Sequence, residues 1–230
     1  MTVTDVKDSR SLRTREVLIS TAEQLFAQQG IEAVSVNTIT REAKQSNRNA
    51  VQYHFGSKTG LLQAIFDKHS PSVAASRAAL IDTLLSTTLP VARLLATALV
   101  QPLLEKLQDP NGGEAYLHIS AELIACNTFG YTLPDKHPLD LPRENKLVKL
   151  ALTQLTHLPA EVAQQRVLLM NVLAFHGISD HARMRTNGHY ATMIGATDFM
   201  ASNLIDSITA MLEAKPSANT LEILKQHRPT

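Results

Sequence analysis

The chain has 230 residues, 44% hydrophobic and 19% charged, with Lys+Arg 22 against Asp+Glu 21 and a formal net charge of +1. That balance excludes a globally disordered chain and gives no whole-chain sign of a nucleic-acid binder, and one cysteine excludes a disulfide framework or a Cys-based zinc ribbon. The apolar stretch Leu94 to Val100 falls far short of the about 20 residues a membrane span needs, and the opening MTVTDVKDSR has no apolar signal core, so a cytoplasmic protein with no membrane partner is expected.

Apolar spacing reads as helix almost throughout, with no strand alternation. A first helix is expected from about Ser11 to Gln29, where Leu18, Ala22, Leu25 and Phe26 form one stripe and Gly30 stops it. Ser35 caps a short second helix carrying Val36, Ile39 and Ala43, broken by Lys44-Gln45-Ser46. A third short helix is expected from about Asn47 to His54, ending before Phe55-Gly56, and Ser57 caps a longer fourth that opens at Lys58. Further helices are expected near 72–86, 90–108, 113–127, 144–157, 160–185, 190–214 and 219–227, with Pro71, Pro90 and Pro159 at starts or breaks and residues 128–142 as the longest non-helical stretch. Charge is uneven along this order: within residues 40–60, Arg41, Lys44, Arg48 and Lys58 stand against Glu42 alone, a local excess suited to phosphates or simply a solvated face.

Three short helices with a tight break between the second and third make a helix-turn-helix arrangement, in which the second braces and the third enters the major groove. The run Ser35-Val36-Asn37-Thr38-Ile39-Thr40-Arg41-Glu42-Ala43, followed by Ala50-Val51-Gln52-Tyr53-His54-Phe55-Gly56-Ser57-Lys58-Thr59-Gly60-Leu61-Leu62, resembles the DNA-binding domain of the TetR family of transcriptional regulators. The likeness covers about residues 11–66; the remainder fits in being helical and of the expected length. Two departures stand out. Lys44-Gln45-Ser46 replaces the usual small turn, and the segment from Ala43 to Phe55 is one residue longer than the commonest form, which leaves the register of base-contacting positions open by one.

The side chains suit the role. Ala50 and Val51 can pack inward, while Ser46, Asn47, Arg48, Asn49 and Gln52 face outward. Asn or Gln can pair with adenine and Arg with guanine; Asn47 and Asn49 serve equally well in turn or capping chemistry, and Arg48 in a phosphate contact. The resemblance implies that Tyr53 bonds a phosphate; His54 either does the same or packs inward. Lys58 and the helix start beside it favour an anion. Ser35 is first a cap, and Thr38, one turn on, reaches the DNA backbone or is merely exposed.

The rest carries weaker signals. Glu114, His118 and Glu122 share a helical face, but no Glu-x-x-His occurs, so no metal is expected. His176, His181 and His189 match no zinc spacing and read as helix-interface histidines. Gly-x-Ser-x-Gly, the P-loop and Gly-x-Gly-x-x-Gly are absent, so neither an enzyme nor a cofactor is expected. The rival is a helical enzyme or carrier with an incidental helix-turn-helix-like hairpin.

The expectation is therefore an all-α regulator: an N-terminal three-helix helix-turn-helix domain, residues 1–58, followed by a larger helical ligand-binding and dimerisation domain, residues 59–230. Its partners would be a double-stranded DNA operator, a small-molecule effector and a second copy of itself. The resemblance implies a homodimer joined through the two long helices near 160–185 and 190–214, with a repressor expected and an activator left open. An amphipathic effector would lie among the helices between 72 and 157, with Tyr116, His118, Glu122, Cys126 and Phe129 as candidate walls.

Overall fold

A computed structural model describes residues 3–125, 139, 146–186 and 193–227. Among them every regular element is helical. The helices are α1 (Val3–Gln29), α2 (Val36–Glu42), α3 (Ala50–Phe55), α4 (Lys58–Leu85), α5 (Val91–Leu107), α6 (Gly113–Ala125), α7 (Lys146–Gln154), α8 (Ala160–Thr186), α9 (Thr197–Glu213) and α10 (Ala218–His227). None is long and apolar enough to cross a membrane.

The first three helices close on a small core. Leu18, Ala22 and Phe26 of α1 meet Ile39 of α2 and Val51 of α3, all buried, with Leu61 and Ile65 of α4 behind them. Gly30 takes a positive φ of 86° and ends α1, as its sequence position implies. In the larger body α5 is central, packed against α4, α6, α7, α8 and α9 through Leu95, Leu99 and Leu103. α6 lies against both α8 and α1, so it touches both regions.

Four expectations about boundaries change. α1 begins at Val3 rather than Ser11. α3 begins at Ala50 rather than Asn47, because the preceding residues are used by the turn. α4 runs unbroken through Pro71, which is exposed and, having no N–H, leaves the Asp67 carbonyl without its helical partner. The helix expected over 190–214 divides into a 3-10 turn, Met193–Gly195, and α9. Cys126, Phe129, His189 and the stretch 128–142 apart from Leu139 lie outside the described residues.

Candidate nucleic-acid interface

Local chemistry shapes the α2–α3 hairpin residue by residue. Ser35 Oγ accepts the Thr38 N–H at 3.1 Å and caps α2. At the other end Lys44 N–H bonds the Arg41 carbonyl at 2.9 Å and Gln45 N–H the Thr40 carbonyl at 3.1 Å. This pair of bonds is a Schellman stop, with Lys44 at φ 52° in the position usually held by glycine. Asn47 Oδ1 then accepts the Asn49 N–H at 3.0 Å, an Asx turn that leads into α3. Asn47 thus takes up turn chemistry, one of its two expected roles, and Asn49 stands at the cap position without a side-chain capping bond.

α3 buries Ala50 and Val51 and presents Gln52 and Tyr53, the latter 76% exposed. Gly56 ends it at φ 73°. Gly60 is required by contact: a Cβ there would collide with the Phe55 carbonyl oxygen, so α3 and the first turn of α4 meet backbone to backbone. Ser57 Oγ caps α4 by accepting the Gly60 N–H at 3.0 Å. The Arg15 guanidinium lies 5.1 Å from the Phe55 ring and pins α1 to the end of α3.

The resulting surface gathers most of the expected residues. Ser35, Ser46, Asn47, Arg48, Asn49, Gln52 and Tyr53 are exposed, and Thr38 and His54 are half-buried. Lys58 is also half-buried, its ammonium over the Phe26 ring at 5.8 Å. His54 meets the Tyr53 ring edge-on at 4.9 Å, and burial first and Arg15 second hold its pKa below the ordinary histidine value. The neutral imidazole is thereby favoured in the free protein, and its N–H can donate to a phosphate. A concavity of about 460 Å³ opens beside the turn, walled by Asn37, Thr40, Arg41, Gln45, Ser46 and Arg48. Asn37 and Gln45 were not among the expected residues, and Arg41 entered only through the local charge excess; Asn37 and Arg41 lie four apart on the outer face of α2.

Of the candidates for an effector wall, Tyr116, His118 and Glu122 are described, and each has its own partners. Tyr116 is buried, stacked on His69 at 4.9 Å, edge-on to Phe66 at 5.4 Å and bonded to Ser70 Oγ at 3.3 Å. His118 shares a 2.7 Å hydrogen bond with Ser179 and lies 3.5 Å from Glu114. Glu122 turns towards the first region: its two carboxylate oxygens accept the Ile31 N–H at 2.9 and 3.1 Å, so the shared face expected for Glu114, His118 and Glu122 is divided between two partners. Ile31 follows the end of α1, so this bond joins the helix-turn-helix block to α6.

A second polar junction lies nearby. Glu23 of α1, buried, accepts from Lys68 Nζ at 3.0 and 2.9 Å and meets His69 Nε2 at 2.8 Å. Gly112, at φ 93°, leaves room for it, since a Cβ there would run into the Glu23 carboxylate. Sequence periodicity gives no sign of either junction, because each joins residues dozens of positions apart.

A helix-turn-helix with an exposed polar third helix defines a DNA-binding class of protein. Comparison with known families agrees: residues 18–65 match the family model described as "Bacterial regulatory proteins, tetR family". The chain therefore carries the DNA-binding domain of a tetR-type transcriptional regulator, as the resemblance implied. No curated protein matches the chain. Similar solved structures include a gamma-butyrolactone receptor (ArpA-like protein), at 18% identity and a TM-score of 0.44 over 86% of this chain and 99% of that one. Another is a putative TetR-family transcriptional regulator from Rhodococcus sp., at 19% identity and a TM-score of 0.46 over 87% of this chain and 98% of that one.

Proposed function

We propose that the protein is a ligand-responsive repressor that acts in the cytoplasm and binds a palindromic operator as a homodimer. The observation that carries this is the exposed run from Ser46 to Tyr53, held by a buried floor of Ala50 and Val51 inside a tetR-type domain. Arg48 and Gln52 are its base-reading candidates; Tyr53, His54 and Lys58 flank them as phosphate contacts, with Ser35 and Thr38 at the start of α2.

The working division is a DNA-binding domain over residues 1–58 and an effector and dimerisation domain over 59–230. α8 supports the second copy: Leu168, Leu169, Val172 and Leu173 are all 36–45% exposed on its outer face, and Phe199 of α9 is exposed as well. Two copies joined there would set two α3 helices about 34–36 Å apart, one turn of DNA. α4 opens beside α3 and runs into the body, so it is the lever. An effector changes operator affinity only if it binds one spacing of the two α3 helices more tightly than the other.

Selection from a random duplex library by the full chain tests this. The expected product is a palindrome whose half-sites lie one turn apart, bound with a steep salt dependence of about −0.9 per neutralised phosphate on a log–log scale. A selection that enriches no sequence contradicts the repressor assignment.

A further inference from the structure

Arg77 sits midway along α4, on the stripe that carries Phe66, His69, Val73 and Ile81, all of them buried. Helical spacing places an apolar side chain at such a position in an ordinary core helix; here there is a guanidinium. Its Nε donates to the Ala98 carbonyl at 3.2 Å. That carbonyl is available because residue 102, four further along α5, is proline and has no N–H to give it. One edge of the guanidinium is thereby held by the backbone. Nη2, on the other edge, is shut off from solvent and has no hydrogen-bond partner among the described residues.

Acids in the same helices are engaged elsewhere: Asp82 pairs with Lys146, and Glu105 accepts from Ser76. Burial lowers the Arg77 pKa, with the Tyr116 phenol opposing. Burial also keeps the Tyr116 hydroxyl protonated, so it remains a donor, in contact with the Ser70 hydroxyl. A fixed guanidinium with one edge sealed from solvent and no acidic partner among the described residues is costly to keep. Native interiors retain few such groups, and each calls for an explanation.

We propose that Arg77 is the anion-recognising residue of the effector site, and that the effector is a small molecule with a carboxylate on an apolar body. Arg77 Nη2 receives the carboxylate, the Tyr116 and Ser70 hydroxyls stand by as further donors, and the aliphatic side chains around α4 and α5 take the apolar part. This rests on the ligand-responsive reading above. It adds a route for the signal, since Arg77 lies on the helix that opens at Lys58, beside α3.

The test is thermal melting of the full-length protein with octanoate and with octanamide, which match in length and differ in charge. Octanoate is expected to raise the Tm at concentrations at least tenfold below those at which octanamide acts. Arg77→Met and Arg77→Gln are each expected to erase the difference between acid and amide. A purely structural Arg77 would shift the Tm of the ligand-free variants and leave that difference intact. Equal shifts by acid and amide in the wild type, no shift with any saturated carboxylate from hexanoate to decanoate, or discrimination that survives both substitutions would overturn the assignment. Octanoate bound through Arg77 but without effect on operator binding would contradict ligand control and leave the anion site standing. A neutral molecule that releases the operator while carboxylates do nothing would do the reverse.

Discussion

In the α1–α3 block, helices of seven and six residues carry the candidate recognition surface, whereas in the body α5 and α8 run to 17 and 27 residues. Helices as short as α2 and α3 are marginal by themselves. Each residue there is a cap, a core contact, a turn or an exposed donor, and few substitutions leave the shape intact. The body is held by broad apolar stripes along α5 and its neighbours. The two regions share one apolar core and are joined by specific polar contacts as well, Glu122 to Ile31 and Glu23 to Lys68 and His69. Two carboxylates, Glu23 buried and Glu122 half-buried, thus tie the recognition block to the body.

The difference can be broken from the body side. Replacing Leu169 and Leu173 together by Glu puts charge on the exposed face of α8 without touching the block. The expected result is a monomer in sedimentation at micromolar concentration. Losing the second half-site then lowers operator affinity on the order of 10²–10⁴-fold. A dimer of unchanged affinity would move the interface elsewhere.

Within the block, Arg48→Ala and Gln52→Ala separate reading from positioning. Each is expected to cost about 1–3 kcal/mol on the operator, concentrated at one base position per half-site. Binding titrations on operators with single base changes decide it; a uniform loss on all sequences would make the residue a backbone contact. Lys58→Ala, by comparison, should weaken all DNA alike and reduce the salt slope by about one.

A smaller effect tests the turn. Lys44 holds a left-handed conformation that costs a non-glycine residue about 1 kcal/mol. Lys44→Gly should therefore raise stability by about that much in urea unfolding; a decrease would show that the lysine side chain contributes more than its backbone costs.

The smallest effect belongs to the body. His118 titrates below the ordinary histidine value, because burial first and Arg183 second disfavour the imidazolium, with Glu114 opposing. A depressed folded pKa gives stability that is complete above the unfolded value of about 6.5 and is lost as pH falls towards the folded one. The Tm should drop between pH 7 and pH 5, and less so in His118→Gln; an equal drop would place the sensitivity at other groups.

What was legible in the sequence follows the same contrast. Ser35 and Ser57 act through partners one turn away, and the Leu18–Phe26 stripe repeats at helical spacing, so their roles could be read from the sequence. The start of α3 could not, because Lys44 fills a glycine position and Asn47 spends its side chain on the turn. Pro71 looks like a helix break but sits exposed inside α4, and Pro102 lies inside α5 with the carbonyl it frees taken by Arg77. On α6, Glu122 answers a backbone N–H 91 residues away, a partner no periodicity records.

The most direct test of the central claim, that the Ser46–Tyr53 run reads DNA sequence, is the ratio of affinities for the selected palindrome and for a scrambled duplex, measured across a salt series. A ratio of about 10³ or more is expected, with both affinities falling steeply as salt rises. A ratio near one at every salt would contradict it, leaving a protein with a tetR-type fold that holds DNA only by charge.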